Sequence, residues 1–270
     1  MSFTRVSVAE ILQEKNPAVA RMVPRFVVDY LRRIVHEEEV NYVLEHFADL
    51  PPFEFIRRTL AYVEVEYTLA GLEKLDPAGR YIFASNHPFG GMDGMMLAER
   101  LADRFGDVRV VVNDILMHLT PLRPIFVPVN KHGRQRGEYA RAFNDVFSSD
   151  LQVLTFPAGL CSRRIDGRVQ DLPWRPNFVK RAIQTDRRIV PIFVEGELSK
   201  FFYRLSAFRR ALGIKANIEM LYLADELFAQ RGRHFRMRAG DPIDPKELES
   251  FGTLFDQAAE VRRRVYALKG

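Results

Sequence analysis

From about Tyr62 onward the sequence alternates between short runs rich in Val, Ile and Phe and longer segments whose apolar residues recur at helical spacing. No other feature constrains the fold as tightly. The runs Tyr62–Leu69, Arg80–Ser85, Val108–Val112, Ile125–Val129, Val153–Phe156 and Ile189–Val194 read as strands. Asp93–Phe105, Gly137–Phe147 and Asn177–Thr185 read as the amphipathic helices between them. Helices near Leu198–Leu212 and Glu247–Leu268 and a strand at Phe235–Ala239 complete the C-terminal part. Apolar strands separated by helices predict an α/β fold: a single domain with a mixed, mostly parallel central sheet flanked by helices.

The first sixty or so residues follow a different pattern. Val27, Val28, Tyr30, Leu31 and Ile34 recur at helical spacing, as do Val40, Val43, Leu44 and Phe47. Pro17, Pro24 and the pair Pro51-Pro52 punctuate them, because proline ends or kinks a helix. Residues 1–61 are therefore expected to form an N-terminal helical cap on an α/β domain spanning 62–270. Neither an internal repeat nor a low-complexity linker divides them.

With 270 residues, 47% of them hydrophobic and 28% charged, the chain can bury a sizeable core. Its single cysteine, Cys161, rules out an internal disulfide framework and a multi-cysteine zinc site, and suits a reducing, cytoplasmic setting. The first residues carry no signal-peptide pattern, and no apolar run approaches the ~18 residues of a membrane-spanning helix. A net charge of +5 favours anionic partners in general. The basic residues are dispersed, so nucleic acid is not expected. No pair of histidines has the spacing of a helical zinc motif, and no metal is expected.

Chemistry concentrates in Tyr81-Ile-Phe-Ala-Ser-Asn-His-Pro-Phe-Gly-Gly-Met-Asp-Gly-Met-Met96. An apolar strand runs into Asn86-His87, Gly90 and Gly91 let the chain double back, and a helix starts near Asp93. That return would bring the Asp93 carboxylate towards the His87 imidazole, fixing its tautomer and leaving the other nitrogen basic. Equally, Asp93 serves as a helix cap and His87 as a polar turn residue. The local residues do not decide between these readings.

The segment resembles the first signature block of the glycerolipid acyltransferase superfamily (the lysophosphatidic acid acyltransferase type), which reads Asn-His, four residues, Asp. Tyr67-Thr-Leu-Ala-Gly-Leu-Glu-Lys-Leu75 resembles the family's preceding strand and turn. Pro124-Ile-Phe-Val-Pro-Val-Asn-Lys131 resembles its second block, Phe156-Pro-Ala-Gly-Leu-Cys-Ser-Arg163 its third and Val190-Pro191-Ile192 its fourth. Four blocks in order, over roughly residues 62–195, are far more specific than one. The resemblance implies direct acyl transfer with His87 as base and Asp93 as its orienting partner. The donor would be acyl-carrier protein or acyl-CoA, a co-substrate rather than a cofactor, and the acceptor a lysolipid hydroxyl. It further implies a substrate-binding set of Asn86, Gly90, Gly91, Lys131, Phe156, Pro157, Gly159, Ser162, Arg163 and Pro191, with backbone N–H groups around Gly159 facing the oxyanion.

Three positions depart from the family pattern. Five residues, not four, separate His87 from Asp93, and Met92 stands at the usual aspartate position. Ala158 replaces the glutamate of the third block. The phosphate-binding arginine of the second block is absent, with Lys131, Arg134 and Arg136 nearby. Lysine holds a phosphate as a point charge but cannot reproduce a bidentate fork. Donor chemistry thus looks retained and the acceptor site changed. The same variants resemble a bacterial branch of aminolipid synthesis, whose acceptor is a hydroxyl on an N-acylated amino acid, as in ornithine or glycine lipids.

Lys200–Lys215 carries five basic residues, four aromatics and no acid. Phe201, Leu205, Phe208 and Leu212 share one helical face. Such a helix could lie on an anionic membrane surface, placing the protein peripherally at the inner face of the cell membrane. It could equally be a core helix with its apolar stripe packed inward and its basic face solvated. Cys161 reads as a buried, inert thiol, because its surroundings do not match a nucleophile elbow. Two alternatives stand beside acyl transfer: a lipid or acyl-thioester hydrolase in which His87 activates water, and a non-catalytic lipid- or carrier-binding protein.

Overall fold

In the structure, a computed structural model that describes residues 5–15, 17–129 and 136–270, five short helices lead the chain into its sheet. They are α1 (Val8–Lys15), α2 (Pro17–Met22), α3 (Arg25–Ile34), α4 (Glu37–Phe47) and α5 (Pro52–Tyr62). Prolines set three of the starts: Pro17 opens α2, Pro24 precedes α3, and Pro51-Pro52 begin α5. Proline suits the first helical turn because its missing N–H would have no intrahelical partner there.

The strand expected from Tyr62 begins later. Tyr62 ends α5, and β1 covers Glu66–Ala70, with Glu64 in the left-handed region at the corner (φ 57°). Leu60 and Val63 continue the buried face of α5. The apolar run is therefore a helix end plus a turn, an ambiguity inherent in short apolar segments.

The α/β alternation then proceeds as the spacing predicts. In order come β2 (Tyr81–Ser85), α6 (Gly91–Phe105), β3 (Val108–Asn113), β4 (Phe126–Val129), α7 (Arg136–Ser148) and β5 (Gln152–Thr155). A hairpin of β6 (Arg163–Ile165) and β7 (Arg168–Gln170) follows, then α8 (Asn177–Thr185), β8 (Arg188–Val194) and α9 (Lys200–Ala211). The chain continues through α10 (Leu223–Phe228), β9 (His234–Ala239), α11 (Pro245–Leu248) and α12 (Leu254–Ala267). Seven strands form one sheet in the order β1-β9-β8-β2-β5-β3-β4, every neighbouring pair parallel except β8 with β9. This is the mixed, mostly parallel α/β sheet expected.

Period-two alternation sorts the core into two layers. Phe83 on β2 and Val190, Ile192 and Val194 on β8 face a cluster with Leu60, Met96, Leu101 and Phe202, from α5, α6 and α9. Ile82 and Ala84, with Ile189 and Phe193, face Val179, Ala182, Val261 and Val265, from α8 and α12. The central strands are covered on both faces, which is why they read as continuous apolar runs.

One cation is sealed into this framework. Arg187, fully buried, donates to the carbonyls of Phe147 (2.8 Å), Leu151 (2.7 Å) and Tyr81 (3.3 Å), and to those of Val146 and Ser149. Carbonyls at a helix end have no following turn of N–H groups to accept from, and Arg187 meets those of Val146 and Phe147 there. Burial pulls the guanidinium pKa down to about 10, which still leaves it charged at neutral pH.

Candidate active site

The loop after β2 is built by Asn86. Its side-chain amide donates to the Val194 carbonyl (2.9 Å) and accepts the Val194 N–H (2.7 Å), continuing the β2–β8 ladder with a side chain in place of backbone. The next residue, His87, is thereby fixed at the carboxyl end of the central strands, where open α/β sheets place their ligand sites.

The chain returns through Gly90, whose φ of 77° favours glycine. A Cβ there would stand 3.0 Å from the Cys161 Sγ and 3.3 Å from Leu223, so the turn has no room for a side chain. α6 starts at Gly91, and its first turn carries Asp93 to within 3.1 Å of the imidazole, Oδ2 to Nδ1. The same Oδ2 accepts the N–H groups of Phe89 (2.8 Å) and Gly90 (3.0 Å). Asp93 thus ties the helix start and faces His87 at once, so the approach and the helix-start contact expected as alternatives are both present in the geometry. The extra residue in the spacing is absorbed by this turn, and Met92 points into the core.

Asp93 is fully buried. Burial pushes its carboxyl above the ordinary range, against the lowering effects of His87 and the Phe89 N–H, while Asp171 raises it further. The 3.1 Å approach of Nδ1 to Oδ2 is an ion-pair distance, angled off a linear hydrogen bond, and Asp93 Oδ1 accepts no hydrogen bond among the described residues. His87 stacks on Phe156 (centroids 4.1 Å apart, 29° between planes). Its side chain is 17% exposed, and Nε2 has no hydrogen-bond partner among the described residues. Nδ1 at ion-pair distance from a carboxylate and an unpartnered Nε2 form an arrangement compatible with proton abstraction.

The segment from Phe156 to Arg163 wraps this histidine. Gly159 (φ 69°) closes a turn by donating its N–H to the Phe156 carbonyl (3.0 Å), which commits that N–H within the turn. Pro157 and Ala158 are buried beneath it. The Ser162 N–H donates to the His87 carbonyl (2.8 Å). Cys161 is buried and its thiol is pushed up to about 12, the state of an unreactive cysteine.

Several residues expected to meet substrate have their side chains engaged by the protein. Asn86 bonds Val194, as described. The Ser162 hydroxyl donates to Asp171 (2.6 Å), and buried Arg163 pairs with Glu219 (3.0 Å) and donates to the Cys161 carbonyl (2.7 Å). Pro191 is buried within β8 in register with Ala84. Gly91 begins α6 with open space about its Cα, and Lys131 lies outside the described residues.

Two buried acids escaped the sequence reading. Asp171 accepts the His87 N–H (3.2 Å), the Ser162 hydroxyl and the Trp174 indole N–H (2.9 Å), while its own N–H donates to the Tyr266 hydroxyl (2.7 Å). Glu219 lies between Arg163 and Arg209 (2.8 Å). The one available signal was in the hairpin that leads to Asp171: Asp166-Gly167 is a two-residue turn with both φ positive, the sequence mark of a type I′ hairpin.

Residues 10–270 match an acyltransferase family model, and the chain belongs to that acyltransferase family. Lyso-glycine lipid O-acyltransferase of Bacteroides thetaiotaomicron is 40% identical over 264 residues, 97% of each chain. The Phocaeicola vulgatus protein of the same name is 39% identical over 264 residues, 97% of this chain and 95% of that one. The fold is shared with the 1-acyl-sn-glycerophosphate acyltransferase PlsC of Thermotoga maritima (TM-score 0.50, 16% identity, covering 97% of this chain and 95% of that one).

Proposed function

We propose that the chain transfers a fatty acyl group from a thioester, acyl-carrier protein or acyl-CoA, to the hydroxyl of an N-acylated amino acid such as a lyso-glycine lipid. His87 Nε2 takes the proton of the acceptor hydroxyl as its oxygen attacks the thioester carbonyl carbon. The tetrahedral intermediate collapses with cleavage of the C–S bond, and the departing thiolate takes the proton back from the imidazolium. Asp93 holds the tautomer and offsets the imidazolium charge. The acceptor itself is the nucleophile, so no acyl-enzyme forms and the raised Cys161 thiol is not needed.

The observation carrying this reading is the 3.1 Å approach of Nδ1 to a buried carboxylate, while Nε2 has no hydrogen-bond partner among the described residues and the side chain is 17% exposed. Two features support the aminolipid acceptor: the near-full-length similarity to the two lyso-glycine lipid enzymes, and Ala158 in place of a third-block glutamate. Phe156 and the backbone of the Pro157–Gly159 turn line the approach to the imidazole, whereas Asn86, Ser162, Arg163 and Pro191 act as its frame. Among the described residues no helix is long and apolar enough to cross a membrane. Peripheral access to the lipid acceptor, at the cytoplasmic leaflet, is part of this proposal.

The test supplies acyl donor and lyso-glycine lipid to the purified protein and follows acylated product by mass spectrometry. His87→Ala is expected to lose turnover by roughly 10²–10⁴-fold. Full turnover in that variant overturns the mechanism. Free fatty acid without acylated acceptor assigns hydrolysis instead.

A further inference from the structure

The turn Phe156–Gly159, which approaches the imidazole at one end, carries a cation at the other. Phe156 stacks on His87, while the Arg175 guanidinium lies over Gly159, where a Cβ would stand 3.8 Å from both Cζ and Nη1. Gly159 is exposed and bears no side chain, so bare backbone faces the guanidinium there. The ends of such a turn stand under about 7 Å apart.

Arg175 is fixed through its main chain, unlike an ordinary surface arginine. Its N–H donates to the Pro157 carbonyl (3.1 Å), and Pro176 follows it. The preceding residue, Trp174, is buried and donates to Asp171 (2.9 Å), the carboxylate that also accepts the His87 N–H. Two routes therefore tie Arg175 to His87: one through Trp174 and Asp171, the other through Pro157 and Phe156.

Its side chain is exposed and makes no hydrogen bond, ion pair or ring contact among the described residues. Arg163 and Arg164, which adjoin the same segment, are engaged by Glu219 and Glu197 (3.0 and 3.5 Å). The site's buried acids serve other groups: Asp93 faces His87 and the helix start, and Asp171 holds His87, Ser162 and Trp174. Ala158, standing where the third block has a glutamate, is buried in the core cluster that contains Trp174. A free planar fork on a fixed main chain suits a carboxylate, which arginine takes bidentately.

We propose that Arg175 receives the free carboxylate of an N-acylated amino acid while the acceptor's hydroxyl meets His87 Nε2, and that it thereby selects carboxylate-ended acceptors. Where the hydroxyl lies close to the amide on the acyl chain, it stands about two residue lengths from the carboxylate, roughly 7 Å when extended. That reach matches the span of the turn between Phe156 and Gly159. Arg175 binds and orients, and takes no part in the proton transfer. This rests on the acyl-transfer reading given above.

The test is steady-state kinetics of the native chain, Arg175→Gln and Arg175→Lys on lyso-glycine lipid and on its glycinamide counterpart, with acyl donor at saturation. The native chain should use the amide with KM raised roughly 10–100-fold and kcat within about threefold, as when ground-state binding alone is lost. Arg175→Gln should show that raised KM on both acceptors and lose the preference for the acid. Arg175→Lys should keep part of the preference, as a point charge without the fork. Thermal midpoints of the three chains should agree, since the side chain holds nothing else in place. Should glutamine unsettle the fold, the native preference and its reduction in Arg175→Lys decide the matter. Native turnover without preference for the acid overturns the proposal, as does a preference that survives in Arg175→Gln. A KM rise confined to lysophosphatidic acid overturns it in favour of a phosphate acceptor. These results leave acyl transfer standing, whereas failure of the native chain to acylate either glycine acceptor overturns that reading and this proposal together.

Discussion

The Asp171 carboxylate accepts the backbone N–H of His87 at 3.2 Å across 84 positions of sequence, and the same oxygen takes the Ser162 hydroxyl at 2.6 Å. It touches no reacting atom and acts as a positioning residue. Asp171→Asn should lower kcat by roughly 10–100-fold, the equivalent of one to two lost hydrogen bonds, with KM within about twofold. Asparagine would set its amide donor against the Trp174 indole N–H, donor facing donor. Adding Trp174→Phe should therefore recover part of the loss, as steady-state kinetics of the single and double variants will show.

Asp93→Asn separates activity from stability. Asparagine can keep its amide oxygen at the Oδ2 position, accepting the Phe89 and Gly90 N–H groups and facing Nδ1, but it brings no charge to offset the imidazolium, and its amide nitrogen takes the partnerless Oδ1 position. Turnover should fall by roughly 10²–10⁴-fold, as expected when a base loses its charged partner. Because burial raises the folded pKa of Asp93 above its ordinary 3.8, its contribution to stability is complete below that value. The contribution is lost as pH rises through the folded pKa. The thermal midpoint of the variant should gain on that of the native chain as pH rises above the ordinary value of 3.8, measured by circular dichroism.

Gly90→Ala tests the turn that absorbs the extra residue. A methyl group there combines a positive φ with a 3.0 Å approach to Sγ of Cys161, and should cost about 1–3 kcal/mol. Leu223→Ala in the same chain relieves one contact and leaves the backbone strain. Urea midpoints should recover in part, not fully.

Glu219→Ala leaves Arg163 and Arg209 buried without their counter-charge, and should destabilise by about 3–5 kcal/mol. Replacing all three residues with apolar side chains of similar volume should cost far less, since a buried ion triad is expensive to break and cheap to exchange. Denaturant titration of the single and triple variants decides this.

The fold was legible where burial made the pattern continuous. β2, β5 and β8 announced themselves because both faces are covered, and α6 through α9 followed from helical spacing, whereas the helix expected near Glu247–Leu268 is broken at Gly252 (φ 93°) into α11 and α12. The His87–Asp93 approach was legible because both residues sit on one local turn. Asp171 and Glu219 were not, because the partners that tie them to the site, His87 and Arg163, lie 84 and 56 positions away and no spacing rule links them. α9 shows a different limit. It carries apolar residues on two faces, Phe202 and Tyr203 inward and Phe201 and Phe208 outward, so periodicity alone could not say which stripe meets the core.

The bond from the Asp171 N–H to the Tyr266 hydroxyl, reinforced by Arg262 on the Asp171 carbonyl (2.9 Å), ties the frame of the imidazole to α12. During synthesis His87 leaves the ribosome long before Tyr266. The growing chain therefore carries a histidine whose main chain is not yet clamped, and the surroundings of His87 reach their described form only once the twelfth helix has emerged. The order of translation sets when this site can close.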